Sequence, residues 1–188
     1  MRIGVLASGK GAGLRAILAD GLDVSVVAVD RPCPATGVAA DHGVAWEVVP
    51  RGVRTPAGRA AFTRSLVRVL ERHGVELVVM AGFMTVLAEP MFERYGGRVL
   101  NLHPSLLPDF RGLHAVEDAL AAGVAVTGCT VHIAVPEVDA GPVLAQEPVP
   151  VLPGDTPQSL ERRIQEVEHR LYPATIRAFM AHRAPLRR

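Results

Sequence analysis

Two rhythms of apolar positions run along the chain. Residues 2–7 (RIGVLA) form a short apolar run that reads as a buried strand. Val24–Val29 (VSVVAV) is a continuous β-branched run, the pattern of a parallel strand covered on both faces. Residues 45–49, residues 77–81 (LVVMA) and Val99–His103 read as three further strands. Between these runs the period lengthens. Leu14, Ile17 and Leu18 share one face of a helix over 14–19, and Phe62, Leu66, Val69 and Leu70 make the stripe of a long helix over 57–71. Shorter helices are expected near 37–42 and over Glu89–Tyr95.

Strands alternating with helices imply an α/β fold with a mostly parallel twisted sheet and right-handed crossovers. The alternation then breaks. A helix over 114–122 is followed by two extended segments, 126–135 and 142–151, with a short turn between them. They are expected to add antiparallel strands at one edge. A long helix over 156–180 closes the pattern, with Thr156 as N-cap and Pro157 at its first position. Pro173 should kink or break that helix, and the basic tail 181–188 should fray. No linker or repeat divides the 188 residues, so a single domain over 1–188 is expected.

Composition narrows the class. Hydrophobic residues make up 49% and charged residues 21%, ordinary for a globular protein. A net charge of +1 gives no footprint for nucleic acid or an acidic membrane. No apolar stretch approaches the ~20 residues of a membrane span. The first apolar run is too short for a signal-peptide core. Cys33 and Cys129 stand far apart and read as unpaired thiols of a reducing compartment. A cytoplasmic protein is expected, as a monomer or homodimer.

Ser8-Gly9-Lys10-Gly11-Ala12-Gly13 lies between the first strand and the first helix. Glycines there let the chain turn tightly and aim backbone N–H groups at an anion, so Gly11, Ala12 and Gly13 are candidates to bind phosphate. The turn lacks the third glycine spacing of the dinucleotide fingerprint, although Asp30 ends the second strand where a ribose-binding acid would stand. A tight turn without a ligand remains the plain alternative.

The densest chemistry is Asn101-Leu102-His103-Pro104-Ser105-Leu106-Leu107-Pro108. Side chains alternate on a strand, so Asn101 and His103 face one way and Leu102 the other. Pro104 stops the strand at its carboxyl end, where open α/β sheets bind ligands. A satisfied hydrogen-bonding pair and a catalytic pair both fit this pattern.

This segment resembles that of the folate-dependent formyltransferases. The resemblance extends in order to Ala81-Gly82-Phe83-Met84, Gly112-Leu113-His114-Ala115, Val131-His132-Ile133, Glu137-Val138-Asp139-Ala140-Gly141-Pro142 and Gln165-Glu166-Val167-Glu168-His169. It implies a Rossmann-like formyltransferase fold without a metal. It also implies a reaction: transfer of a formyl group from 10-formyltetrahydrofolate to an amine. The start Ser8-Gly9-Lys10-Gly11 is similar to the phosphate loop of the purine-pathway members, which implies glycinamide ribonucleotide as acceptor. Asn101, His103 and Asp139 are then the catalytic trio. Met84, Thr85, Val86, Leu87, Pro136, Glu137 and Val138 should line the folate pocket, with Asn101 and Asp139 at its inner end. Arg59 should contact the donor near its glutamate tail. Glu168 should hold the glycyl amine, with Gln165 one turn away on the same face. His114 and His132 are expected to support the site from behind.

The chain departs from the family where Ala12-Gly13 replaces Ser-Asn, where Thr85 replaces a basic residue, and at Asp109 and Arg111. Rival readings are another folate-dependent formyltransferase, a formyltetrahydrofolate hydrolase and, more distantly, a nicotinamide-dependent oxidoreductase. The first two carry extra domains for which this length leaves no room. The last leaves Asn101, His103 and Asp139 unexplained.

Overall fold

The computed structural model describes residues 1–183. The elements run β1 (Ile3–Ala7), α1 (Ala12–Ala19), β2 (Val24–Val29), α2 (Ala35–Asp41), β3 (Trp46–Val48), α3 (Pro56–Arg72), β4 (Leu77–Met80), α4 (Glu89–Tyr95) and β5 (Val99–His103). They continue with α5 (Ala115–Ala121), β6 (Val126–Ile133), β7 (Val143–Pro150) and α6 (Pro157–Arg183).

All seven strands join one sheet in the order β3-β2-β1-β4-β5-β6-β7. The first five pair in parallel, while β6 is antiparallel to both β5 and β7. The antiparallel additions expected from the sequence are therefore present at one edge. Strand order reverses between β1 and β4, and the crevice at such a reversal is where this class of sheet takes its ligand.

Each face of the sheet carries its own core. Ile3, Val5, Val27, Val29, Leu77, Val79 and Leu100 pack with Leu14, Val38, Tyr172 and Ile176, so α1, α2 and α6 cover one face. Leu6, Val26, Val78 and Val99 pack with Phe62, Leu66, Met91 and Tyr95, so α3 and α4 cover the other. A third cluster seats Val116 of α5 and Leu160 and Ile164 of α6 on Cys129 and Val149. Strand alternation therefore sends Leu100 toward α6, and Asn101 and His103 toward the α3/α4 layer.

Thr156 begins α6 as expected. Its Oγ1 accepts from Ser159 N at 3.2 Å, and Ser159 Oγ accepts from Thr156 N at 2.9 Å, a reciprocal N-terminal box. Pro173 does not end the helix, which runs unbroken to Arg183. The side chains around it hold the helix down. Tyr172 is buried with its hydroxyl 3.0 Å from the carbonyl oxygens of both Met80 and Leu100, and Ile176 is buried one turn on. This packing outweighs the amide bond a proline forfeits. Residues 181–183 are helical rather than frayed, and 184–188 lie outside the described residues. The turn between β6 and β7 is also longer than expected: nine residues, 134–142, separate the strands. No described helix is long and apolar enough to cross a membrane.

Candidate active site

β5 delivers Asn101 and His103 to the carboxyl end of the sheet, and β6 lies beside it in a register that sets His132 opposite Asn101. The 134–142 loop then swings back over them. Gly141 lets it do so, because a Cβ there would run into the Ile133 carbonyl oxygen. Asp139, at φ 53°, sits in the left-handed region that an Asp tolerates.

The Asp139 carboxylate is the hub. Its Oδ2 lies 3.3 Å from His103 Nδ1 and accepts from Gly112 N at 2.9 Å. Its Oδ1 accepts from Asn101 Nδ2 at 3.4 Å and lies 3.5 Å from His132 Nε2. Asn101 Nδ2 is also 3.1 Å from His132 Nε2. Burial pushes the Asp139 carboxyl up, but the His132 ring, the Gly112 N–H and the charge of His103 outweigh it and hold the group below its ordinary value.

His103 is buried, and its second nitrogen, Nε2, is 2.8 Å from the Phe110 carbonyl oxygen. Phe110 adopts φ 51°, a rare conformation for a bulky residue, and this bend accompanies the aim of its carbonyl at the ring. The loop between them is pinned from β6. Buried Thr130 donates to the Ser105 carbonyl at 2.7 Å and accepts from Leu107 N at 3.0 Å, while Gln146 donates to the Leu107 carbonyl at 2.8 Å.

These groups form the inner end of a cleft of about 200 Å³. Met84, Thr85, Val86, Leu87, Pro136 and Val138 line it, together with Asn101, His103, His132 and Asp139. One expected wall residue, Glu137, lies outside the lining, and Arg59, expected near the donor's tail, stands beside the cleft rather than in it. Glu137 is exposed and pairs with Arg111 at 3.3 Å, and Arg59 lines an adjoining groove that shares Met84, Thr85, Val86 and Leu113 with the cleft. His114 is exposed at the start of α5 and lines neither space.

The Gly-rich turn occupies the opposite layer. Gly11 has φ 77° and caps α1, and a Cβ there would sit 3.1 Å from Ala35 Cα. Ala12 is exposed at the helix start, so its N–H and those that follow face outward without intrahelical partners. Glu168 lies in the same layer on α6. It is half-buried, and burial, with the charge of Glu161 added, pushes it up to about 7. The sheet end carrying Asn101 lies between this layer and the cleft. Cys33 and Cys129 are free, and burial raises the Cys129 thiol to about 12, an unreactive state at neutral pH. Among the described residues no group of His, Cys, Asp and Glu is arranged to hold a metal ion.

His132, expected to support the site from behind, lies against both Asn101 and Asp139. The Phe110 carbonyl and the Gly112 N–H add backbone groups that the sequence does not announce, and Leu113, part of the Gly112–Ala115 motif, lines the cleft. Backbone groups give no signal in residue identity.

A formyl transferase family model matches residues 1–176. The chain belongs to the formyl transferase family. Among curated relatives, the phosphoribosylglycinamide formyltransferase of Mycobacterium tuberculosis is 43% identical over 186 residues, covering 96% of this chain and 86% of that protein. The trifunctional purine biosynthetic protein adenosine-3 of Bos taurus is 38% identical over 182 residues, which span 93% of this chain and 18% of that larger protein. Among solved structures, glycinamide ribonucleotide transformylase 1 from Symbiobacterium toebii superposes with a TM-score of 0.91 at 42% identity, covering 100% of this chain and 91% of that one. As a formyl transferase, the chain carries its polar hub at the carboxyl end of β5, beside the strand-order reversal.

Proposed function

We propose that this formyl transferase moves the formyl group of 10-formyltetrahydrofolate onto the amine of glycinamide ribonucleotide, a step of purine biosynthesis in the cytoplasm. The observation that carries this reading is the convergence of Asn101, His103 and Asp139 at the inner end of an apolar cleft. The glycine turn and Glu168 lie in the layer across the sheet. The flat pterin enters the cleft between Met84–Leu87 and the 134–142 loop. The acceptor lies over the turn, its phosphate on the N–H groups of Gly11, Ala12 and Gly13 and its glycyl amine toward Glu168. The two substrates meet at Asn101.

The acceptor's ammonium first gives a proton to the Glu168 carboxylate or to water, and the free amine then attacks the formyl carbon. A C–N bond forms, and the carbonyl π electrons move to oxygen, giving a tetrahedral oxyanion. His103 faces one acceptor with each ring nitrogen, the Asp139 carboxylate and the Phe110 carbonyl, and only the imidazolium can donate to both. Both N–H groups are engaged in the free enzyme, so His103 donates to the oxyanion as the substrate oxygen takes the place of one of these acceptors, assisted by Asn101, whose 3.4 Å bond to Asp139 is the weaker of its two contacts and the one a substrate oxygen displaces. The attacking nitrogen gives up a proton, and N10 of the folate takes one as the C–N10 bond breaks. Asp139 carries that proton, directly or through water.

The test is a three-armed assay with equal enzyme and 10-formyl-5,8-dideazafolate as donor. Glycinamide ribonucleotide should be formylated. Initiator methionyl-tRNA should not, because a polyanion needs basic surface that a net charge of +1 does not supply. Without acceptor the donor should persist. Transfer to tRNA, or rapid hydrolysis, with none to glycinamide ribonucleotide would overturn the acceptor and leave the folate chemistry.

A further inference from the structure

Ile3, Val5 and Ala7 of β1 face the layer of α1, α2 and α6, so alternation turns Leu6 and Ser8 toward the α3/α4 layer on the donor's side. The chain itself then leaves in the other direction, through residues 9–11 into α1. Ser8 is thus the first residue of the glycine turn, with its side chain on the far side of the sheet from the helix that follows.

Ser8 is 1% exposed and is held on three sides. Its N–H donates to the Gly82 carbonyl at 3.1 Å, its carbonyl accepts from Arg31 Nε at 3.0 Å, and its Oγ accepts from Met84 N at 3.0 Å. The neighbours of these partners close the same ring. Asp30 precedes Arg31, and its buried Oδ2 accepts from Thr85 Oγ1 at 2.7 Å and pairs with Arg51 Nε at 3.1 Å. That carboxylate is committed inside the protein and is not free to meet a ribose.

Met84 and Thr85 belong to residues 81–88, which join β4 to α4 without regular structure and supply one wall of the cleft. A segment with no ladder of its own keeps its shape through side-chain ties. Among the described residues two hydroxyls take backbone N–H groups from it: Ser8 Oγ from Met84 and, at the far end, Thr63 Oγ1 from Ala88 at 3.1 Å. Both hydroxyl residues are buried. They differ in what stands behind them. Thr63 sits in α3, within the donor-side layer, whereas Ser8 opens the turn assigned to the acceptor's phosphate.

Resting on the reading above, in which these two segments hold the two substrates, we propose that Ser8 is a positioning residue for formyl transfer. Its hydroxyl locks the donor wall to the strand end from which the acceptor's turn departs, and so sets the distance between the formyl carbon and the attacking nitrogen. Without that bond each segment keeps its own ligand, but the two can shift against each other. A displacement on the order of 1 Å between reacting groups costs about a hundredfold in rate. A serine that did no more than satisfy the Met84 N–H would affect the donor pocket alone, as Thr63 does.

The experiment compares Ser8→Ala with Thr63→Val, each of which strands one N–H of the same wall. Single-turnover transfer from 10-formyl-5,8-dideazafolate is followed with both substrates saturating, and the Kd of each substrate is measured alone. Ser8→Ala should lower the transfer rate at least about tenfold while each Kd stays within about threefold. Thr63→Val should show the reverse split, a donor Kd raised several-fold with most of the transfer rate kept. Ser8→Cys keeps the volume but accepts only weakly, so its rate should fall between those of the parent and Ser8→Ala, and it carries the test if Ser8→Ala does not fold. An unchanged transfer rate in the Ser8 variants, or one pattern shared by the Ser8 and Thr63 variants, would overturn the proposal. Absence of transfer by the unaltered enzyme would instead overturn the folate reading beneath it.

Discussion

His103 and Asp139 meet at 3.3 Å across the mouth of the loop that joins β6 to β7, while the Phe110 carbonyl closes on the far side of the ring at 2.8 Å. The ring thus has little freedom to rotate. An imidazole held between two acceptors is set up as a donor, and this distinguishes it from a general base waiting to receive a proton.

Removing that donor tests its role. His103→Ala should lower kcat by roughly two orders of magnitude or more, the range expected for one oxyanion donor. The fold should survive, because His103 bonds one loop carbonyl and one carboxylate and belongs to none of the three apolar clusters. Steady-state kinetics with a thermal melt of the same sample checks both. Near-normal kcat in a folded protein would remove His103 from the mechanism.

Asp139→Asn keeps the shape and deletes the charge. It should depress kcat far more than it raises donor KM, since Asp139 faces His103 and Asn101 rather than forming the apolar walls. A stability effect with a definite sign goes with it. The folded carboxyl lies below its ordinary value of 3.8, so its contribution is present above about pH 4 and lost as pH falls through the folded value. Urea melts of both proteins should therefore differ at pH 6 and draw together as the pH is taken progressively below 4.

How far these relationships could be read from sequence follows from their range. Asn101 and His103 share a strand, so the period of two places them on one face. Met84–Leu87 and the Gly11 turn sit at strand ends that alternation also located. Asp139 is different. It reaches the site through a nine-residue loop with a left-handed residue, and only the family resemblance gave it a partner. The Asp30–Thr85 bond spans 55 residues and leaves no local trace. Pro173 misled because local propensity argues for a break, while Tyr172 and Ile176 decide the matter through tertiary burial.

The acceptor's phosphate can be displaced without straining the chain. Gly11 is a poor place to probe, since any side chain there would both adopt φ 77° and press on Ala35. Ala12 is exposed, and Ala12→Asp puts a carboxylate where the phosphate should lie, at a helix start that favours acids. The variant should be as stable as its parent or slightly more so. Acceptor KM should rise at least about tenfold with donor KM unchanged. An unchanged acceptor KM would move the phosphate away from this turn.

Glu168 supplies the pH dependence. Burial disfavours its charged form and pushes it up to about 7, so both forms are populated near neutrality. If the ionised form holds the ammonium end of the acceptor, acceptor affinity should improve as pH rises from 6 to 8, with a midpoint near 7. Glu168→Gln should bind more weakly at pH 8 and lose that midpoint. Stability should move the opposite way. A carboxyl whose folded value lies above its ordinary 4.5 binds more protons folded than unfolded, so stability falls as pH climbs from about 4.5 to about 7. Glu168→Gln carries no charge to bury. It should therefore gain on the parent by on the order of 2 kcal/mol between pH 5 and pH 8. Urea melts at the two pH values and acceptor titrations on the same samples separate the roles. A stability crossover without a change in acceptor affinity would make Glu168 a strained helix residue rather than a substrate ligand. Loss of both pH dependences in Glu168→Gln would tie the strain to the function, with the buried charge kept because the acceptor's ammonium neutralises it.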